Sequence, residues 1–421
     1  MLKEKFKNFN PKNLITNPMA LLKWLFISIL TGIIVGAVGV GFHYAVDLAT
    51  ELRTEHNWII YLLPIGGLII VLLYHLCKQD NNKGTNDILV ATREDKKLSF
   101  FIAPLIFISS TITHLLGGSS GREGAALQLG GSIASCLGKL FRLSEKDKEI
   151  LVMCGMSAAF SALFGTPVTA TVFALEIVNV GVMHFSAIVP CAVSAIVGTK
   201  FAMLCGVTPT SFNMTGIPAL ELLPLGKVVI LAVLCALMSI VFCVVMHKAE
   251  KLYSKYIPNR YIRIAVGGLL VIILTLIVGC YDYNGTGMNI IEKAFSGEAK
   301  YEAFLLKIIF TAVTLGAGYK GGEIVPVFFT GATFGNVAGK ILNLSPSFGA
   351  GIGLVSLFCG VTNCPITSII LSVELFGNEG IIYFLLSCAI SYMLSGYNSL
   401  YKEQKILYSK LSLELLDRKT Q

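Results

Sequence analysis

Long apolar stretches recur along this chain, more than a water-soluble fold can bury. The first runs from Leu21 to Asp47, a second from about Trp58 to Cys77 and a third from about Ser99 to Leu116; a later one ends near Phe201. A helix needs about 20 apolar residues to cross the hydrocarbon core of a bilayer. Hydrophobic residues fill 54% of the 421 positions and charged residues 14%, against about 25% charged in a soluble domain. Disordered, fibrous and ordinary soluble classes are excluded. An outer-membrane barrel would show short alternating strands instead. The expected class is an all-α polytopic membrane protein, with material for roughly ten or more crossings. Stretches that are short, or broken by Gly and Pro, read as half-spanning helices.

The net charge of +8 does not point to nucleic acid. The basic residues cluster between apolar segments: Lys3, Lys5, Lys7 and Lys12; Lys96 and Lys97; Lys146 and Lys148; Lys402, Lys405 and Lys410. That distribution predicts a multi-pass protein of the cell membrane with both tails cytoplasmic. The basic start leads into the first long apolar segment without a small-residue cleavage site, so it reads as a retained helix. The 11 cysteines include no C-x-x-C pair and most lie in apolar runs. They read as free thiols acting as small core residues. His114, His184 and His247 stand apart and lack metal-ligand spacing; no metal and no organic cofactor is expected.

The chain repeats itself at an offset of about 200 residues. Gly84-Thr85-Asn86-Asp87-Ile88 is echoed by Gly287-Met288-Asn289-Ile290-Ile291, and Gly121-Arg122-Glu123-Gly124 by Gly321-Gly322-Glu323-Ile324. Gly165-Thr166-Pro167 is echoed by Asn363-Cys364-Pro365, and Glu176 by Glu374; Gly131 and Gly331 begin Gly-x-x-x-Gly-type helices. These landmarks divide the chain into a first membrane half (1–207), a connecting segment (208–225), a second, inverted half (226–396) and an amphipathic tail helix (397–421). Gly/Pro-broken segments at matching positions of two halves point to a transporter's central site, since irregular backbone survives at membrane depth only where it is buried or lines a cavity. Helices starting at those breaks aim free amides, each end carrying roughly half a positive charge, at the midplane. Several converging ends make an anion site.

With Gly121-Arg122-Glu123-Gly124 the sequence resembles the CLC family of chloride channels and chloride/proton antiporters, whose motif there is G-R-E-G-P. Gly322-Glu323-Ile324-Val325-Pro326 falls where that family has G-x-F-x-P, and Leu407-Tyr408-Ser409 is similar to its P-L-Y-S segment. The likeness covers nearly the whole membrane part and implies an inverted-repeat fold, a homodimer with one pore per subunit, and no enzymatic reaction. The chain departs from the chloride branch in two places. Lys83 to Ile88 has neither the serine nor the proline of G-S-G-I-P, and Ile177, not a second acid, follows Glu176. Gly321 to Pro326 instead resembles the G-G-E-V-T-P of the fluoride/proton antiporter branch, and Gly84-x-Asn86 is also similar to it. Val325 stands where that branch usually has Thr, and Ala125 where it often does.

The resemblance implies a membrane anion transporter exchanging fluoride for protons; chloride/proton antiport and a passive chloride channel are the alternatives. Glu123 is the expected proton and anion gate. An intramembrane carboxylate is costly and functional by default. Charged, it occupies an anion site; protonated, it leaves and admits the ion. Its bland reading is a helix-capping acid. For Glu323, three residues before a helix, proton coupling and capping are nearly even, and pairing with Lys320 would favour the structural role. The anion-binding set comprises Thr85, Asn86, Gly124, Ile324, Val325 and Tyr408. Thr85 has the rival role of satisfying local backbone, and Tyr408 that of anchoring the tail helix at the interface. Arg122 is expected to hold carbonyls or an acid, and Glu176 and Glu374 to close helix ends or line the dimer surface. Gly118-Ser119-Ser120-Gly121 also fits the G-x-S-G of intramembrane serine proteases, but no histidine has the A-H-x-x-G surroundings that such a nucleophile's base needs.

Overall fold

In a computed structural model the described residues are 11–94, 96 and 98–420; Lys3, Lys5, Lys7 and Lys97 of the basic clusters lie outside them. Sixteen α-helices appear among these residues and divide as eight and eight. The first half holds α1 (Pro11–Glu55), α2 (Leu63–Leu76), α3 (Thr85–Ala91), α4 (Ile102–Leu115), α5 (Glu123–Leu140), α6 (Glu145–Phe164), α7 (Pro167–Glu176) and α8 (Ile188–Leu204). The second repeats the order as α9 (Leu222–Tyr256), α10 (Arg260–Val278), α11 (Met288–Phe295), α12 (Ala303–Ala317), α13 (Ile324–Ile341), α14 (Pro346–Thr362), α15 (Pro365–Phe376) and α16 (Ile381–Leu394). Six helices are long and apolar enough to cross a membrane and six more are apolar but of 10–17 residues, fewer full crossings than the run count suggests.

The breaks read from sequence are where helices start. Pro167 and Pro365 stand at the first positions of α7 and α15, where a missing N–H costs nothing. Gly84 precedes α3 at φ +65°, a conformation that residues with a Cβ rarely adopt. The connection between halves is helix-free from 205 to 221, a little earlier than the boundaries drawn from sequence. Glu221 is extended and Pro224 falls in the first turn of α9. Phe212 in this segment stacks on Phe295 at 4.8 Å, and its N–H bonds the Leu375 carbonyl at 2.9 Å.

The helices that lead away from the centre are joined in pairs by glycine. A Cβ on Gly130 of α5 would stand 2.1 Å from the Gly155 carbonyl oxygen of α6, and one on Gly155 2.2 Å from that of Gly130. In the second half Gly331 and Gly353, and Gly335 and Gly349, do the same between α13 and α14, at 2.1 to 2.5 Å. Small residues at such faces let backbones touch. In the first half the contact residue is Gly130; Gly131 packs on Ile88. The two halves meet where α7 packs on α15, with Glu176 bonded to the start of α15 and Glu374 to the start of α7.

The tail corrects the expectation of a helix. Strand β2 (Lys405–Tyr408) pairs in parallel with β1 (Asn179–Val180) of the first half and antiparallel with β3 (Leu415–Lys419). The leucine spacing of the tail suggested helical periodicity, but pairing with β1 overrides it, and Ile406 is the strand residue fully buried. Gln404 fixes the tail further. Its amide donates to the Ile177 and Thr362 carbonyls at 3.0 and 2.8 Å, so it spans the ends of α7 and α14. All eleven cysteines are free.

Candidate functional site

Gly121 and Gly322 exchange both backbone hydrogen bonds, at 2.7 and 2.6 Å, joining the matching loops of the two halves. The acids follow close behind, Glu123 two residues past Gly121 and Glu323 one residue past Gly322. Glu123 is the first residue of α5 and is 1% exposed. Its carboxylate accepts from the Arg122 N–H at 3.0 Å. The same oxygen would stand 2.7 Å from a Cβ on Gly121, with Val325 and Pro326 of α13 each at 3.1 Å from that point. Glu123 therefore sits against the start of the opposite half's helix, where the Val325 N–H faces it.

Glu323 directly precedes Ile324, the first residue of α13, and its side chain makes no cap bond. It stands nearer the helix than the three-residue gap read from sequence, and the capping role goes unused. One of its carboxylate oxygens lies 3.3 Å from the Cβ position of Gly124, where the Thr85 hydroxyl is 3.6 Å away. Lys320 does not pair with it; its ammonium lies 4.5 Å over the Tyr74 ring. Arg122 meets its structural expectation, bonding His43 at 2.8 Å and Asp47 at 3.1 Å on α1.

A cavity of about 580 Å³ reaches this centre. Thr85, Gln128, Glu323 and Tyr401 line its deep end; Asp80, Lys83, Glu250 and Lys402 line its outer part. Glu123 is not part of the lining; it stands next to it, one residue before Gly124, whose Cβ position lies 3.3 Å from a Glu323 carboxylate oxygen. Thr85 is buried, with its hydroxyl 3.3 Å from the Gly124 carbonyl that it donates to. Ile324 and Val325 are buried at the first turn of α13, so α3, α5 and α13 bring Thr85, Gly124, Ile324 and Val325 together. Among the described residues no cluster of three His, Cys, Asp or Glu side chains is placed to hold a metal.

Of the two remaining sequence-derived members of the anion set, Asn86 lines the cavity next to Thr85 and Tyr408 lies elsewhere. The Asn86 side-chain oxygen accepts from the Glu403 N–H at 3.0 Å, so this amide holds the tail. Tyr408 is 44% exposed on β2 and packs at Gly181, because a strand, not a helix, carries it. The central hydroxyl belongs to Tyr401, which is 2% exposed, has its oxygen buried without a partner, and lies close enough that both Glu123 and Glu323 act on it. The other residue that sequence reasoning missed is Gln128. Its amide donates to the Gly124 carbonyl at 3.1 Å, while its own oxygen is buried and unpartnered. Signals for both existed: Tyr401 lies in the short polar stretch after the last span, and Gln128 is the one amide side chain in its helix, one turn past Gly124.

A family model described as voltage gated chloride channel matches residues 66–396. The chain belongs to that family. A Pseudomonas syringae pv. tomato relative named chloride/fluoride channel protein is 34% identical over 395 residues, 92% of this chain and 87% of the relative. The H(+)/Cl(-) exchange transporter ClcA of Vibrio cholerae is 25% identical over 403 residues, 85% of this chain and 83% of its own. Among solved structures, a CLC-type fluoride/proton antiporter superposes with TM-score 0.89 at 29% identity, covering 92% of this chain and 98% of that one. A slow cyanobacterial Cl-/H+ antiporter, at TM-score 0.76 and 20% identity over 88% and 94%, shares the fold. This CLC chain is thus a polytopic membrane protein with the inverted-repeat architecture expected from its motifs.

Proposed function

We propose that this protein exchanges fluoride for protons and so exports fluoride. In this reading it is a homodimer in the cell membrane, with one pore per subunit and both termini cytoplasmic. The observation that carries the reading is the pair of carboxylates at the facing starts of α5 and α13. Glu323 lines the cavity beside Thr85 and Gly124, and Glu123 stands at the start of α5, against Val325 and Pro326 of α13. The similarity to a fluoride/proton antiporter over 92% of the chain supports the choice of ion and of coupling.

Charged Glu123 competes with the anion for the amides of α5 and α13. Once protonated it is neutral, withdraws, and admits the ion. Glu323 offers a second place for the proton on the cavity side, so proton and anion travel the same centre in opposite senses. Fluoride is small and strongly hydrated, and a site must replace that water with close, strong donors. The amides at two helix starts and the Thr85 and Tyr401 hydroxyls are of that kind. Fluoride also gives proton coupling a purpose. Its weak acid enters uncharged from acidic surroundings and leaves the ion trapped inside, and an inward proton gradient drives that ion out.

Chloride transport, by proton antiport or a passive channel, is the second reading. It is favoured by Val325 and Ala125, which lack the hydroxyls that the fluoride branch often has at these positions. Liposomes loaded with fluoride or chloride, with and without a proton ionophore, separate the readings, together with rescue of a fluoride-sensitive bacterium. Faster fluoride efflux and rescue are expected. Equal or faster chloride exchange without rescue overturns fluoride as the substrate.

A further inference from the structure

Two cations lie on the far side of Glu123 from the cavity, Lys307 fully buried and Arg53 half-buried, and neither has an acid among the described residues. Arg53 is in the last turn of α1. Helix α2 returns from that face, and Asp80 and Lys83 beyond its end line the cavity, so Arg53 belongs to the opposite membrane face. Its Nε and Nη1 are buried and bond nothing. Its guanidinium lies against Gly285, with Nη2 and Nη1 at 2.9 and 3.0 Å from where a Cβ would stand there. Lys307 of α12 is fully buried. Its ammonium donates to the carbonyls of Gly285 at 2.7 Å and Tyr283 at 3.2 Å. Both cations thus crowd one glycine. The charge that acts on Lys307 is Arg53, and no carboxylate acts on either. Asp282, three residues from Gly285, is taken by Lys300 at 2.8 Å.

Buried charges in proteins are paired, because uncompensated burial is costly. Two carbonyls partly serve Lys307; nothing serves the inner edge of Arg53. A polar column also leads from this pair to the gate. Thr311, one turn along α12 from Lys307, meets the Ser119 hydroxyl at 3.0 Å, and Thr314 accepts from the Ser119 N–H at 3.1 Å. The Ser120 hydroxyl is buried and unpartnered, and the next residue, Gly121, touches the Glu123 carboxylate.

We propose that Arg53 and Lys307 form a second anion site, on the side of Glu123 remote from the cavity, for the small monovalent anion that the protein transports. The site supplies a counter-charge to the buried Lys307 and to the buried edge of Arg53, and holds the ion on the far face until Glu123 clears the way. This rests on the reading of the protein as an anion transporter, so the test has a readout that needs no transport.

Crystals of the wild-type protein soaked in bromide, whose anomalous scattering marks it, are expected to show a peak between Arg53 and Lys307. The Arg53→Gln variant is expected to lose that peak. In oriented liposomes, Arg53→Gln and Lys307→Met should each raise the half-saturating anion concentration at the Arg53 face by about tenfold or more, the loss of one charged hydrogen bond. Half-saturation at the cavity face should stay unchanged. A missing wild-type peak, or a change that falls equally on both faces in Arg53→Gln, would mean that these cations only tie loop carbonyls, and the site would be rejected. A bromide peak in a protein that moves neither fluoride nor chloride would keep the site and sink the transport reading instead.

Discussion

Glu176 and Glu374 close each other's helices across the repeat. The Glu176 carboxylate accepts from the Ile366 and Thr367 N–H groups at 3.1 and 2.8 Å and from the Thr367 hydroxyl at 2.6 Å, all at the start of α15. Glu374 accepts from the Val168 and Thr169 N–H groups at 3.0 and 2.8 Å at the start of α7. Each acid ends or nearly ends one short helix and neutralises the free donors of the other, so neither helix start faces the hydrocarbon with bare amides.

The two caps differ in burial, and their removal should differ accordingly. Glu176 is 7% exposed while Glu374 is half-buried. We expect Glu176→Ala to cost about 2–3 kcal/mol, because three donors, two of them buried, lose their acceptor, and Glu374→Ala about 1 kcal/mol. Thermal unfolding in detergent measures both. Equal losses would contradict the burial argument.

Replacing Glu123 by Gln should abolish proton-coupled exchange, since a neutral side chain neither carries the proton nor competes with the anion. Proton uptake driven by an outward anion gradient in liposomes is the measurement. Uptake at the wild-type rate would remove Glu123 from the gate.

Glu323→Ala is expected to lose or uncouple proton transport in a folded protein. Its side chain caps nothing, so the stability change should stay under about 1 kcal/mol. A variant that keeps its coupling and only unfolds earlier would return Glu323 to a structural role.

Tyr401→Phe removes a buried hydroxyl that no protein group uses, and anion affinity should fall by about tenfold, the worth of one hydrogen bond to a charged group. Tyr408→Phe, on an exposed strand position, should leave affinity unchanged. Anion binding to the purified variants by calorimetry distinguishes them, and a larger effect at Tyr408 would reverse the assignment.

The tail sheet should loosen in acid. The Lys419 ammonium, and after it Lys83, hold the Glu403 carboxyl below its ordinary range. A depressed folded-state value gives stability that is present above the ordinary carboxylate pKa of about 4.3 and lost as pH falls through the lower, folded value. Hydrogen exchange at β2 and β3, corrected for intrinsic rates, should therefore quicken below about pH 4. In Glu403→Gln it should be fast already at neutral pH. A flat wild-type profile would exclude Glu403 as the tether.

What the sequence made legible was whatever recurs. The breaks at Gly84, Gly121, Pro167 and their partners repeat in one order, and each marks a helix start. Glu123 was legible because an acid beside converging helix starts has few other uses. The tail was not, because Leu407, Leu411 and Leu415 fit a helix as readily as a strand, and only the distant Asn179–Val180 decides between them. Tyr408 was misplaced for the same reason: the strand that carries it pairs with Asn179–Val180, more than 200 residues away in the chain. Arg53 and Lys307 gave no signal at all, since a lone cation near a span end ordinarily snorkels to the interface.

The glycine pairing of α5 with α6 and of α13 with α14 leaves no clearance between backbones. A hinge needs slack on one side, and here carbonyl oxygens of one helix fill the place of a Cβ on the other. Neither helix of a pair can roll or slide without its mate, so each pair is a single stiff bar with its working tip at the centre. The two bars are pinned tip to tip by Gly121 and Gly322. The freedom left at the centre is then in torsions of the tip side chains, Glu123 and Glu323. A molecule of this design changes the occupant of its centre with little change in its own outline.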